Sequence, residues 1–468
     1  MLLILRRSNL AAKLRCTSKR FLSTGGPRIA VIGSGPAGLY SCSALLNRLP
    51  TCHLDVIDKS PVPYGLVQFG VAPDHAEMKR CANHFERMFD HNPDRLSLFC
   101  NVAVGSDLTY EELCENYDVV VLAYGASRAR QLEMPEATPD HNCFSGYSFV
   151  SWYNGQPKEA QTPDLSGRNA IVIGNGNVAI DCARILLSNV ERFRYTDMCD
   201  SAYRSLSASQ IEQVQMLGRR GPIEASFTIK ELRELLNLED VSVHCDIHPS
   251  IVSRVEEMLN DPQLPRRQRR ILELMLSKRT APLDGQFKRS GSIIFHRKPE
   301  RIVLDPKTQR IQALRVRSSL VESEIHEMPC DLLIYAIGFT SSHLPGVPTN
   351  ADQQLRLHDW CRVDESRAHV YATGWCAQAG SGVIADTQRN AQLVADEVRA
   401  DWDLGKIETK PSTSLDARTL LRRSGVRYVS WRDWKYVDEA ERRIGAEVGK
   451  PREKINNVIE FLRKNPRQ

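Results

Sequence analysis

Val31-Ile32-Gly33-Ser34-Gly35-Pro36-Ala37-Gly38 decides the fold of this 468-residue chain. An apolar, mostly β-branched run, Ile29 to Ile32, delivers the chain to three spaced glycines, and a helical pattern comes next. Strand, glycine turn and helix in that order hold a dinucleotide pyrophosphate. Gly33 serves the tight turn, Gly35 lets backbone N–H groups approach a phosphate, and Gly38 lets the helix pack against the strand. The arrangement returns at Gly174-Asn175-Gly176-Asn177-Val178-Ala179, after Ala170 to Ile173, with Ala179 in place of the third glycine. Two such loops imply two dinucleotides.

The strands after the two loops end differently. The strand His53 to Asp58 ends in a carboxylate about twenty residues beyond Gly38, placed to accept hydrogen bonds from ribose hydroxyls and to repel a 2'-phosphate. That suits FAD or NAD. The strand Val214 to Leu217 ends instead in Gly218-Arg219-Arg220-Gly221. Two permanently charged, fork-shaped guanidiniums at that position match a 2'-phosphate, so the second site is expected to select NADP.

Working outward, Val119 to Ala123 ends in Tyr124-Gly125-Ala126, Leu332 to Ala336 in Ile337-Gly338-Phe339, and His369 to Ala372 in Thr373-Gly374-Trp375, before a helix over Gln392 to Asp401. This order places one dinucleotide unit inside another, with the chain crossing near 126 and 338. The expected fold is α/β: two nested doubly wound dinucleotide-binding domains, the first split by the second. The tail from Pro411, with Trp431 and Trp434, is expected to clad the first domain.

Net charge is only +5, which leaves no global signal for nucleic acid. The leader carries Arg6, Arg7, Lys13, Arg15, Lys19 and Arg20, and the first acidic residue is Asp55. That composition reads as a mitochondrial transit peptide over 1–27, with cleavage near Phe21 to Ser23. No run approaches the ~18 apolar residues of a membrane span. The thirteen cysteines form no Cys-x-x-Cys pair, so the redox dithiol of flavin disulfide reductases is missing and electrons must leave another way. No metal site is expected. Between the loops, Pro63 to His75 is rigid and apolar enough to line a ring system. His75 and Asp181 are the candidates for a proton relay, each with a loop or helix-capping role as the plain alternative. Trp375 either stacks near a cofactor ring or fills a domain seam.

The strings Phe69 to His75, Trp152-Tyr153-Asn154-Gly155, Gly176 to Asp181, Gly218 to Pro222, Phe227 to Glu234 and Gly449 to Lys454 resemble those of the mitochondrial adrenodoxin reductase family, and the resemblance runs from Arg28 to the C-terminal region. It implies an FAD enzyme that takes hydride from NADPH and passes single electrons to an acidic, adrenodoxin-like 2Fe-2S ferredoxin, supplying cytochrome P450 or iron-sulfur and haem synthesis. By that similarity Ala37, Asp58, Leu66, Val102, Trp375, Gly382, Val383 and Ile384 contact FAD. Asn175, Gly176, Asn177, Val178, Arg219, Arg220, Glu231 and Gly382 contact NADP. The domains become an FAD domain over 28–126 and 339–468 and an NADP domain over 127–338, in a monomer of the matrix that is at most peripheral to the inner membrane. The chain departs from the family where Asp58 replaces a usual Glu, where Gln68 replaces a usual Arg, and across Cys376 to Gly380.

Arg266-Arg267-Gln268-Arg269-Arg270 offers a positive face for an acidic ferredoxin, with a solvated basic helix start or a lipid-facing patch as the alternatives. Three other readings of the chain are weaker. An electron-input subunit like that of glutamate synthase brings cysteine-ligated clusters, which are missing. A nucleotide sensor would use both loops without turnover. A flavin monooxygenase would need a substrate domain that is not evident.

Overall fold

The computed structural model describes residues 25–126, 128–156, 161–280, 287–321, 323–340, 343–363, 369–378 and 384–466. The leader expected over 1–27 lies outside them up to residue 24.

Two parallel sheets carry the fold. The first has five strands in the order 369–372, 119–122, 28–32, 53–58, 96–100. Parallel strands are covered on both faces, so their sequences run apolar without a break, as Val119–Leu122 does. Alternate residues divide between two cores. Ile29, Val31, Val119 and Val121 pack with the helices Pro36–Arg48 and Ile384–Asp403, while Ala30, Ile32, Val120 and Leu122 pack with the helices Tyr110–Asn116 and Ala417–Ser424. The helix expected over 392–401 starts earlier, at Ile384; the polar run Asp386-Thr387-Gln388-Arg389-Asn390 carries no apolar period and hides its first turns from the sequence.

The second sheet has six parallel strands in the order 143–145, 332–335, 169–173, 213–217, 289–294, 241–246. Its strands all fall between those at 119–122 and 369–372, so the second unit is nested in the first. One face is covered by helices, Asn177–Leu187 and Ile229–Leu236 among them. The other face is covered by an antiparallel meander of Arg297–Leu304, Ile311–Ser318 and Ile325–Pro329, which packs Ile302, Ile311, Leu314 and Val316 against Ile171, Ile173 and Leu333. The sequence reading missed this meander. Its first strand is charged and holds Pro299 beside a register shift, a combination that hides a strand from propensity.

The tail does more than clad the first unit. Trp434 is buried in the first core and meets Tyr64 edge-on at 5.9 Å. Farther on, Lys454 pairs with Asp197 at 3.3 Å and Lys450 donates to the Met198 carbonyl at 2.6 Å, both in the second unit. Asn154, fully buried at the same seam, donates from Nδ2 to the carbonyls of Phe69 at 3.1 Å and Val71 at 3.3 Å. The second unit thereby holds the apolar segment 63–75 of the first.

Asn154→Ala is expected to lower stability by about 1–3 kcal/mol, because two buried carbonyls lose their donor. A drop of several degrees in the thermal unfolding midpoint checks this, and an unchanged midpoint contradicts it.

Candidate functional site

Both glycine loops pass beneath the carbonyl at the end of a neighbouring strand. Gly33 has φ +111° and a Cβ there would strike the Ala123 carbonyl; Gly174 has φ +140° and a Cβ would strike that of Ala336. Neither position accepts an L side chain. A Cβ on Gly38 would strike the Gly33 carbonyl, whereas Ala179 is accommodated, fully buried, at the matching place in the second loop. The helices that begin at Pro36 and Asn177 start without a side-chain cap or an acid in the first turn. Their N-termini therefore present backbone N–H groups and positive dipole ends to an anion.

Around the first loop the structure gathers most of the residues expected for one cofactor. Asp58 accepts from the Ser34 N–H at 2.6 Å and the Ser34 hydroxyl at 2.7 Å through one oxygen, and from the Ser60 N–H at 2.8 Å through the other. Val102 donates its N–H to the Asp58 carbonyl at 2.9 Å. Tyr64 donates to the Ser34 carbonyl at 2.9 Å and a Cβ on Gly65 would come within 3.2 Å of Gly35, which lays Leu66 beside the loop. Gly374 abuts Ala37, bringing Trp375 to the loop, where its ring lies 5.5 Å from that of Phe339. Ile384 is the first residue of its helix, and Gly382 and Val383 lie outside the described residues. The buried Gln68 Nε2 and Thr373 Oγ1 have no hydrogen-bond partner among the described residues. Bare N–H groups, a carboxylate at the strand end, a glycine cradle and orphaned donors fit a dinucleotide.

The second loop repeats this with a different rim. Asn175 lies against Gly218, with its Oδ1 buried and unpartnered. Its carbonyl accepts from the Ser226 N–H at 2.9 Å, and Asn177 Oδ1 accepts from the Thr228 N–H at 2.8 Å. Val178 packs toward Gly146 and Ala336. Glu231 is buried on the helix Ile229–Leu236 with Oε2 unpartnered. Arg219 and Arg220 are exposed at the end of the strand Gln213–Leu217, in no ion pair among the described residues. The residues expected for NADP, Gly382 apart, thus converge on one end of the second sheet.

At the seam, His75 and Asp181 belong to one buried ionic cluster without bonding each other. His75 Nε2 lies 2.7 Å from Glu234 Oε2. Arg184, with no exposed surface, pairs with Asp74 and, at 3.0 Å, with Asp181; Arg192 reaches Asp74 at 2.9 Å. Burial raises the Asp181 carboxyl above its ordinary range, with Arg184 the main opposing influence. For Asp74 burial pulls upward too, but Arg184, His75 and Arg192 together hold it below that range. Sequence reasoning missed Arg184 and Glu234; the string Phe227 to Glu234 marked the helix but not the residue on it that meets His75.

The arginine cluster is divided. Arg266, Arg267 and Arg270 are exposed at the start of the helix Arg266–Ser277. Arg269 turns back instead and donates to the carbonyls of Leu259 and, at 2.7 Å, Asp261, capping the helix Pro249–Leu259. Its guanidinium is committed to the fold and leaves the positive face. Gln268 donates to the Ile223 carbonyl at 3.1 Å, which ties this helix start to the segment that follows Arg219 and Arg220.

Among known proteins, a family model described as pyridine nucleotide-disulphide oxidoreductase matches residues 27–248. The mitochondrial NADPH:adrenodoxin oxidoreductase of Drosophila melanogaster is 37% identical, covering 94% of this chain and 94% of its own length. The human protein of that name is 36% identical over 93% of this chain and 91% of its own, and that of Arabidopsis thaliana 32% over 93% and 95%. The solved structure of Mycobacterium tuberculosis FprA in complex with NADPH superposes with a TM-score of 0.83 at 30% identity, covering 93% of this chain and 99% of that one.

Arg184→Met should be strongly destabilising, by about 3–5 kcal/mol, because it leaves Asp181 buried without its cation and Asp74 with only the half-exposed Arg192. Adding Asp181→Asn in the same chain removes one stranded charge and is expected to recover part of the loss. Chemical denaturation of the single and double variants measures both steps, and a neutral Arg184→Met would contradict the ionic reading of the seam.

Proposed function

This chain belongs to the family of mitochondrial NADPH:adrenodoxin oxidoreductases, and from that membership we propose that it takes hydride from NADPH onto FAD and passes electrons singly to a 2Fe-2S ferredoxin. The observation that carries this reading is the unlike ending of two like loops: Asp58 locked to the first, Arg219 and Arg220 exposed at the strand end beside the second, in no ion pair among the described residues. Bound FAD would supply the conversion of a two-electron hydride into single-electron steps, which nicotinamide cannot make.

The chain's own residues bind and position. Gly33, Gly35, Ala37 and Gly38 cradle the FAD pyrophosphate on the bare N-terminus of the helix Pro36–Arg48. The Ser34 contacts orient Asp58, whose remaining lone pairs receive a ribose hydroxyl. Leu66, Val102, Trp375, Gly382, Val383 and Ile384 line the rest of the cofactor. Gly174, Asn175, Gly176, Asn177 and Val178 would cradle NADP(H), Glu231 and Gly382 would contact it, and Arg219 and Arg220 would take the 2'-phosphate. His75, held by Glu234, and Asp181, held by Arg184, are the candidates for a proton relay at the seam. In domain terms 28–126 and 339–468 form the FAD unit, 127–338 the NADP unit, and 1–27 the leader.

The partner is an acidic, adrenodoxin-like ferredoxin, met by Arg266, Arg267 and Arg270; complementary charge steers such an encounter and still permits release. The family relatives are named mitochondrial, and no described helix is long and apolar enough to cross a membrane. We place the protein in the matrix, feeding cytochrome P450 or iron-sulfur and haem synthesis.

Replacing Arg219 and Arg220 together with Ala should raise the KM for NADPH by at least about tenfold while moving that for NADH less than about twofold. Equal changes for both coenzymes would remove the 2'-phosphate assignment. Cytochrome c reduction by NADPH should depend strictly on added mitochondrial ferredoxin, and rapid direct reduction would contradict the proposal. Reversing Arg266, Arg267 and Arg270 to Glu should depress that coupled rate and flatten its salt dependence while sparing a small dye acceptor. If both activities fall together, the patch is no docking site.

A further inference from the structure

The turn Gly218-Arg219-Arg220-Gly221 is gripped from behind by residues outside the glycine-loop motif. Arg297 donates its N–H to the Gly218 carbonyl at 2.9 Å, and His296 donates its N–H to the Arg220 carbonyl at 3.3 Å. The Ser319 hydroxyl donates to the Arg219 carbonyl at 3.3 Å, and the Ser319 N–H donates to the His296 carbonyl at 3.0 Å. Three successive carbonyls of the turn are thereby tied to one corner, built from the end of the strand Arg289–Ile294 and the end of Ile311–Ser318. His296 Nδ1 lies 3.0 Å from Ser319 Oγ and joins the two sides of the corner.

Proton counting fixes the direction of that last bond. A serine hydroxyl has one proton, and here it goes to the Arg219 carbonyl, so Nδ1–H of His296 is the donor to Ser319 Oγ. His296 Nε2 is then a bare acceptor; it is buried without a partner among the described residues, against the position a Cβ on Gly221 would take, 2.8 Å away. His296 also adopts φ +58°, the left-handed region that few non-glycine residues enter without a reason in the surroundings. Burial lowers its basicity, with Arg297, His248 and Arg254 acting the same way and Glu224 against. The imidazole therefore stays neutral at neutral pH and acts through the turn, not as a third charge.

We propose that His296 and Ser319 form a clamp that presents Arg219 and Arg220 to the 2'-phosphate, making both positioning residues for selection of NADPH over NADH. This deepens the reading of the second site and rests on it. With its carbonyls tied inward, the turn directs both guanidiniums outward; released, each regains rotational freedom that must be lost again when phosphate binds. These side-chain and backbone bonds of His296 and Ser319 run to the turn that carries Arg219 and Arg220 and to each other, so their loss is expected to fall on the 2'-phosphate.

The test is calorimetric titration of the flavin-loaded enzyme with adenosine 2',5'-bisphosphate, which carries the 2'-phosphate without nicotinamide, and with 5'-ADP, which lacks it. Ser319→Ala and His296→Gly are each expected to weaken the bisphosphate about five- to tenfold, the equivalent of one modest hydrogen bond, and to leave 5'-ADP within about twofold. His296→Asn keeps a polar atom at the δ position and tolerates left-handed backbone, so it should retain most of the affinity that His296→Gly loses. A purely structural role would weaken both ligands alike and show no rescue by Asn. If Ser319→Ala and His296→Gly bind the bisphosphate as the parent does while the Arg219, Arg220 double variant does not, the clamp is overturned and the phosphate site stands. If the double variant also binds normally, the phosphate site itself falls, and the clamp with it.

Discussion

A loop that must run from the end of one parallel strand into a helix, beneath the last carbonyl of a neighbouring strand, has room for backbone only. Gly33 under Ala123 and Gly174 under Ala336 meet that constraint in the same way, each at positive φ. Because the loops are held so tightly, the first turns of the helices at Pro36 and Asn177 open toward the sheet ends with their N–H groups uncapped. Everything placed nearby refers to those two points. Segment 63–75 lies on the first loop through Tyr64 and Gly65, the strand end at Gly374 closes on Ala37, and Gly218 admits the Asn175 side chain beside the second loop.

The two units are joined by charge more than by grease. Arg184 and Asp74, His75 and Glu234, Lys79 and Asp197, and Lys454 and Asp197 all pair between segments close in space and far apart in sequence. Asp197 is held down to about 2 although burial works against it, because Lys454 and Lys79 flank it; Lys79 in turn falls to about 8, mainly through burial and the neighbouring Lys454. Desolvating ions consumes much of what their attraction returns, so such a cluster is a weak source of net stability. Its value lies in direction: an apolar seam tolerates sliding, whereas Arg184, braced on its own helix by Asp181, meets Asp74 of the first unit in few relative placements of the two. Two dinucleotide sites that must exchange a hydride need that kind of registration.

Local backbone geometry was legible in the sequence. Both loops, Asp58 and the arginine pair stand where their motifs placed them, because glycine spacing and strand ends are short-range properties. Features governed by tertiary partners were not legible. The meander at 297–329 carries charge on its outer face and a proline at a bulge, and only its packing on Ile171 and Leu333 makes it a strand layer. Arg269 looks identical to its three neighbours in sequence, and only the open end of the helix Pro249–Leu259 draws it inward. Asp58 reads in sequence as a ribose acceptor, yet its closest partner is Ser34 within the loop itself, a contact between residues 24 apart in sequence. The His296 corner left no signal, since its role depends on the ends of two strands meeting behind a third.

The cysteines bear on how electrons can leave. Cys16 lies outside the described residues; the other twelve are free thiols, all buried except Cys81, which is partly so. A thiol carries electrons as the thiolate, and burial opposes that form. Cys376 stands next to Trp375 at the end of the strand that closes on the first loop, the position from which a redox sulfur would be most useful. Its Sγ donates instead to the Leu122 and Thr373 carbonyls, at 3.3 Å and 3.1 Å, and burial pushes it up to about 11. Cys52 likewise rises to about 11 and Cys143 to about 12. Sulfur in this fold is core material. Among the described residues no pair of cysteines forms a dithiol that could relay charge. Arg266, Arg267 and Arg270, exposed at the start of the helix Arg266–Ser277, leave the second unit with a positive face that no sulfur chemistry accompanies.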